Sequence, residues 1–134
     1  MRKRNDEGRG MREILFRGKD IDNGIFVTGY LIGNETCKKY ITLVGSYCKE
    51  VIPKTVGQYT GLTDKNGKKI FEGDIIKNQY EKNKYQYFKI SYCNRTYCWL
   101  VANKYGMLGN LYNVIGDIEV IGNIYDNPEL LKGE

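Results

Sequence analysis

Glycine recurs along this chain too often for long helices to form. Sixteen glycines are spread over 134 residues, and a glycine inside a helix costs about 1 kcal/mol against alanine. Between them stand short segments rich in tyrosine, isoleucine, valine and threonine, residues that suit a pleated, half-buried surface. Twelve tyrosines, four phenylalanines and one tryptophan stand against only two prolines. The chain therefore reads as all-β, with short antiparallel strands joined by tight turns. Its length suits a single hydrophobic core.

Local patterns place the strands. Ile14 to Arg17 alternates, and Gly18 to Gly24 is dense in turn formers. Gly24 to Ile32, Tyr40 to Val44 and Val51-Ile52 are further strand candidates, with a turn at Gly33-Asn34-Glu35, and Val56 to Tyr59 continues extended. Asn66-Gly67 tolerates the positive φ of a tight reversal. Phe71-Glu72-Gly73-Asp74 makes a second turn and releases the apolar pair Ile75-Ile76, with Leu62, Ile70, Phe71 and Ile75 as core candidates. From Tyr85 to Tyr92 the period is two, with Phe88, Ile90 and Tyr92 on one face and Tyr85, Tyr87 and Lys89 on the other. Cys93-Asn94-Arg95 turns the chain, and Thr96 to Ala102 returns as the partner strand. One helical turn is allowed between Gly106 and Gly116, and a final strand covers Asp117 to Tyr125. Asn127 as N-cap and Pro128 at the first helical position open a short C-terminal helix that docks through Leu130 and Leu131. Residues 1–10 are polar after Met1 and read as a disordered basic arm; residues 11–134 read as a single domain, with Met11 an alternative start. No apolar window is long enough to span a membrane and no signal peptide is visible. A cytoplasmic location is expected, with the four cysteines as reduced thiols.

The chain contains no histidine, which removes the commonest general acid/base and the commonest metal ligand. Asp20, Asp22, Asp64, Glu72, Asp74 and Asp117 all lie in or beside predicted turns, where backbone hydrogen bonding accounts for them. A non-enzymatic protein without a cofactor is expected. Cys93 and Cys98 are spaced loosely like zinc ligands, with Cys37 and Cys48 as the remaining thiols. That wide second separation favours free thiols over a metal site. The glycine-rich patches lack the strand-to-helix context of a phosphate loop.

Charge is unevenly placed. Residues 77–104 hold six basic residues against Glu81, a net +5, whereas residues 105–134 carry a net −4. Within the basic stretch, Lys77, Lys82, Lys84, Lys89, Arg95 and Lys104 interleave with Tyr80, Tyr85, Tyr87, Phe88, Tyr92, Tyr97, Trp99 and Tyr105. Cations neutralise phosphates, and exposed rings offer bases a stacking platform worth about 1–3 kcal/mol each. The same pattern equally describes a tyrosine-rich protein interface, or a strand pair with aromatic cross-strand packing and a solvated lysine edge. The candidate partner surface comprises Lys77, Lys82, Lys84, Tyr85, Tyr87, Lys89, Arg95, Tyr97 and Lys104.

Three segments carry a resemblance. They are Met11-Arg12-Glu13-Ile14-Leu15-Phe16-Arg17-Gly18, the long run from Gln58 through Gly61-Leu62-Thr63-Asp64-Lys65-Asn66-Gly67 and Phe71-Glu72-Gly73-Asp74 to Lys77, and Val120 to Leu131. In this order they resemble the YopX family of phage and prophage proteins, over residues 11–131. The resemblance implies an all-β fold related to small barrels, and Gly73-Asp74 before an apolar strand is similar to the entry into an SH3-like barrel strand. It implies no catalytic residues. The basic arm and the tyrosine-rich 80–105 stretch depart from the family pattern. The expectation is a phage or prophage accessory protein in the host bacterial cytoplasm, a protein-interaction or self-assembling module whose partner is a second copy or a host or phage protein. The alternative is a sequence-tolerant single-stranded nucleic-acid binder using residues 77–105.

Overall fold

The computed structural model describes residues 12–33, 39–42, 48–106, 108–114 and 116–132. They fall into two compact units, one reaching to Tyr59 and one starting at Thr60. The readings made for residues 1–10, for Met11 and for most of the Gly33-Asn34-Glu35 turn lie outside the described residues. Strands dominate both units, so the chain is all-β. Among the described residues no helix is long and apolar enough to cross a membrane.

The first unit is built from β1 (Phe16–Lys19), β2 (Phe26–Gly33), β3 (Lys39–Thr42), β4 (Cys48–Val51) and the start of β5 (Gly57–Thr63). Its antiparallel order is β4-β3-β2-β1, and β5 joins β1 with Phe16 opposite Gln58. Asp20 organises the β1–β2 turn: its Oδ1 accepts the Asp22 N–H at 2.8 Å, while its backbone exchanges bonds with Ile25 and Gly24. The predicted turn role of this aspartate is what the structure shows. Arg17 and Lys19 are buried and lie over the Phe26 ring, at 4.1 and 4.4 Å from its centroid. Lys19 also donates from Nζ to the Gly24 carbonyl at 3.0 Å. Burying cations is tolerable only with such partners.

The second unit continues β5 into β6 (Lys69–Phe71) and adds β7 (Asp74–Glu81), β8 (Lys84–Cys93), β9 (Cys98–Ala102), β10 (Leu108–Asn110) and β11 (Asp117–Asn123). The last five form an antiparallel sheet in the order β10-β9-β8-β7-β11. Alternation decides which face is dry. Ile76, Phe88, Ile90, Val101, Ile118 and Val120 point to one side and bury with Leu62, Ile70 and Leu111, with Trp99 and Val114 packed against them. All four core candidates of the central segment, Leu62, Ile70, Phe71 and Ile75, are buried. The predicted β8–β9 hairpin is present, with Tyr92 opposite Trp99 and the rings edge to face at 4.8 Å. The Asn66-Gly67 reversal hangs on Asp64, a buried residue whose Oδ1 accepts the N–H groups of Asn66 and Lys68, both at 2.9 Å. Its Oδ2 accepts the Val120 N–H at 2.9 Å and so ties the turn to β11.

Two expectations are corrected. Among the described residues the barrel-like closure is absent: β10 and β11 are unjoined edges of the second sheet, and in the first unit one isolated bridge, Asp20 to Val51, stands where a ladder would be needed. Closing a barrel requires the terminal strands to pair with a consistent stagger; β10 has three residues and gives way at once to a 3-10 turn over Leu111–Asn113. The C-terminal helix is a single 3-10 turn, Pro128–Leu131. Pro128 opens it as expected, but Asn127 makes no side-chain cap. Instead its Oδ1 accepts the Asn123 N–H at 3.3 Å.

Gly73 occupies the left-handed region at φ +91°. Its N–H donates to the Ile90 carbonyl at 2.9 Å and its carbonyl accepts the Ile124 N–H at 2.8 Å, so the conformation is held from both sides. A Cβ there would lie 3.2 Å from the Tyr125 ring. Gly73→Val is therefore expected to destabilise by roughly 2–3 kcal/mol. Thermal unfolding checks this, and an unchanged midpoint refutes it.

Candidate interaction surface on the five-stranded sheet

The face of the second unit opposite the core gathers the charged and tyrosine-bearing side chains of β7, β8 and β11. Register sets their rows. Lys77 stands between Glu119 and Tyr87, and Gln79 between Asp117 and Tyr85. The Lys77 ammonium sits 4.2 Å above the Tyr85 ring, a diagonal cation–π contact. Lys65, on the Asn66-Gly67 turn, reaches Glu119 at 3.8 Å. Together Lys65, Lys77, Gln79, Tyr85, Asp117 and Glu119 line a shallow depression of about 150 Å³. Both partners of the Lys65–Glu119 pair are over two-fifths exposed, so it contributes little stability and remains free to exchange partners.

The nine candidate residues do not form one surface. Tyr85, Tyr87 and Lys89 share the outer face, as the period-two reading placed them, and the β7–β8 register adds Lys77 to it. Lys82 belongs to the β7–β8 turn, and beside it Lys84 is bound to Glu81 at 2.9 Å. Arg95 and Tyr97 lie in the β8–β9 turn at the opposite end of the hairpin, where Tyr97 is 79% exposed. Lys104 belongs to the turn after β9, its Nζ 5.2 Å from the centre of the Tyr105 ring. Sequence reasoning leaves Lys65, Gln79, Asp117 and Glu119 out of the candidate surface. It reads Asp117 as a turn residue, the acidic excess after residue 105 is the only trace of a role for Asp117 and Glu119, and nothing local says that β11 pairs with β7. That pairing sets two carboxylates beside the lysines, so the outer face is a mosaic of both signs and not a continuous cationic track.

Cys93 and Cys98 face each other across the β8–β9 ladder and are free thiols; Cys48 is exposed, and Cys37 lies outside the described residues.

Comparison with known proteins bears on the fold and the family. The crystal structure of protein EF1440 from Enterococcus faecalis is similar, with a TM-score of 0.57 and 21% sequence identity, over 90% of this chain and 99% of that one. At that identity the likeness speaks for the fold alone. No curated protein matches the chain. The family model described as YopX protein matches residues 16–132, which takes in every strand among the described residues. Matched over nearly its whole length, the chain belongs to the YopX family.

Proposed function

We propose that this YopX-family chain is a non-enzymatic phage or prophage accessory protein that binds another protein through the outer face of β7, β8 and β11. The observation that carries the reading is the charge mosaic: Glu119 and Asp117 in register with Lys77 and Gln79, beside Tyr85 and Tyr87. A phosphate backbone selects unbroken positive charge. A protein surface selects complementary charges of both signs around tyrosine anchors. The nucleic-acid alternative, a sequence-tolerant single-strand binder using residues 77–105, draws on the exposed rings of Tyr85, Tyr97 and Tyr105 among the lysines and Arg95 of that stretch.

Affinity capture from induced or infected host cells, with and without nuclease, tests the two readings together. The expected result is a protein partner, or a second copy of this chain, held in fixed ratio and insensitive to nuclease. Tyr85→Ala combined with Asp117→Lys should reduce its recovery at least tenfold while the fold persists, since both side chains are exposed. Recovery of nucleic acid alone, with salt-dependent oligonucleotide binding weakened by Tyr85→Ala and Lys84→Glu, would replace this reading by the alternative.

A further inference from the structure

We propose that Cys93 and Cys98 form a reactive dithiol that closes into a cross-strand disulfide by exchange with low-molecular-weight disulfides. The two residues are direct partners in the β8–β9 register, so their side chains leave the same face of the hairpin. Directly opposed residues in an antiparallel pair have Cα atoms about 4.5–5.5 Å apart, inside the range a disulfide needs. Closure therefore asks for side-chain rotation and no backbone rearrangement. Both thiols are half-buried, within reach of a small reagent.

The Thr96 hydroxyl lies 3.0 Å from the Cys98 Sγ. The Cys93 thiol is held below its ordinary value, chiefly by the nearby Thr96 side chain and then by the backbone groups of Thr96 and Arg95, with the Arg95 charge acting in the same direction and burial opposing them. Thiolate is the attacking species in exchange, so Cys93 is the first nucleophile and Cys98 resolves.

The chemistry balances with one co-reactant. The Cys93 thiolate attacks one sulfur of a disulfide RSSR; the reagent's S–S bond breaks and RS⁻ leaves, taking a proton from solvent. Cys98 gives its proton to solvent and attacks the Cys93 Sγ, expelling the second RS⁻. The protein loses two electrons and two protons, and RSSR becomes two RSH. The product locks the β8–β9 turn, and with it the neighbouring Tyr92–Trp99 ring pair, at the end of the hairpin remote from the Lys77–Tyr85 contact. Its test is therefore independent of the protein-binding reading.

The experiment treats the reduced full-length protein with oxidised glutathione at neutral pH and follows it by alkylation and peptide mass spectrometry. In wild type, the peptide carrying both cysteines is expected to lose about 2 Da and become closed to alkylation. Cys98→Ser should arrest Cys93 as a stable glutathione adduct. Thr96→Val should slow the first step several-fold and move its pH profile upward, a shift that a purely structural threonine would not produce. Stable adducts at Cys93 in wild type, or no reaction there while exposed Cys48 is modified, would overturn the proposal.

Discussion

Gly116→Ala should lower the thermal midpoint of the protein by about 10 °C, one of the two largest effects expected of a single substitution here. Gly116 precedes β11 at φ +96°. A Cβ on it would be driven into the backbone of β7, against the Gln79 carbonyl oxygen and within 3.0 Å of the Tyr80 Cα. These neighbours belong to the place where the β7–β8 register shifts, between Gln79 and Glu81. Backbone cannot rotate aside as a side chain can. The Tyr125 ring beside Gly73 can yield, so the two glycines differ in kind. Left-handed strain costs about 1–3 kcal/mol and steric overpacking a similar amount, which together suggest a loss of about 3 kcal/mol. For a domain of this size each kcal/mol moves the midpoint by roughly 3–4 °C. Calorimetry measures the shift, and amide exchange along β7 and β11 locates it. A midpoint within about 2 °C of wild type would show that β11 moves off β7 without cost.

Asp64→Ala is expected to cost a comparable 3 kcal/mol, by a different route. The carboxylate is the acceptor for three backbone N–H groups, on Asn66, Lys68 and Val120. Asn66 and Lys68 are exposed and turn to water when it is removed. Val120 is buried, so its N–H loses the only acceptor described for it and bears the full desolvation penalty, about 1–3 kcal/mol. The remainder comes from the loosened Asn66-Gly67 reversal. Asp64→Asn should recover part of this, because one oxygen persists for the turn, but its NH₂ cannot accept from Val120. Urea titration of the three proteins checks the order: wild type most stable, asparagine next, alanine last. Equal stability of the alanine variant and wild type would mean that this carboxylate does not hold the turn to β11.

How legible the fold was depends on which interactions are local. The Asn66-Gly67 reversal, the β8–β9 hairpin and the dry side of β8 were readable because the turn chemistry and the period of two lie within a few neighbouring residues. Phe88 and Ile90 are buried and Tyr85 and Lys89 exposed, as that period required. β7 is longer than the apolar pair Ile75-Ile76 announced, because it is set by pairing with β8 and β11 and not by its own hydrophobicity. Arg17 stood at the end of a strand candidate and Lys19 in the turn-rich stretch after it; that β1 runs on to Lys19 and that both cations are buried over Phe26 emerges only from the packing of β1 on β2.

The candidate surface divides along the same line. Tyr85, Tyr87 and Lys89 could be assigned to one face from alternation alone, whereas Lys77 joins them only through the β7–β8 register. Glu119 and Asp117 could not, because they arrive from a strand distant in sequence. Composition and turn residues determined by themselves that this chain forms an all-β fold of short strands without histidine chemistry. The tertiary structure alone decided that the sheets stay open, that opposite charges meet on the outer face, and that Cys93 lies across from Cys98. The physical reason is range: backbone preference acts between sequence neighbours, whereas strand order and register are chosen by burial summed over the whole sheet.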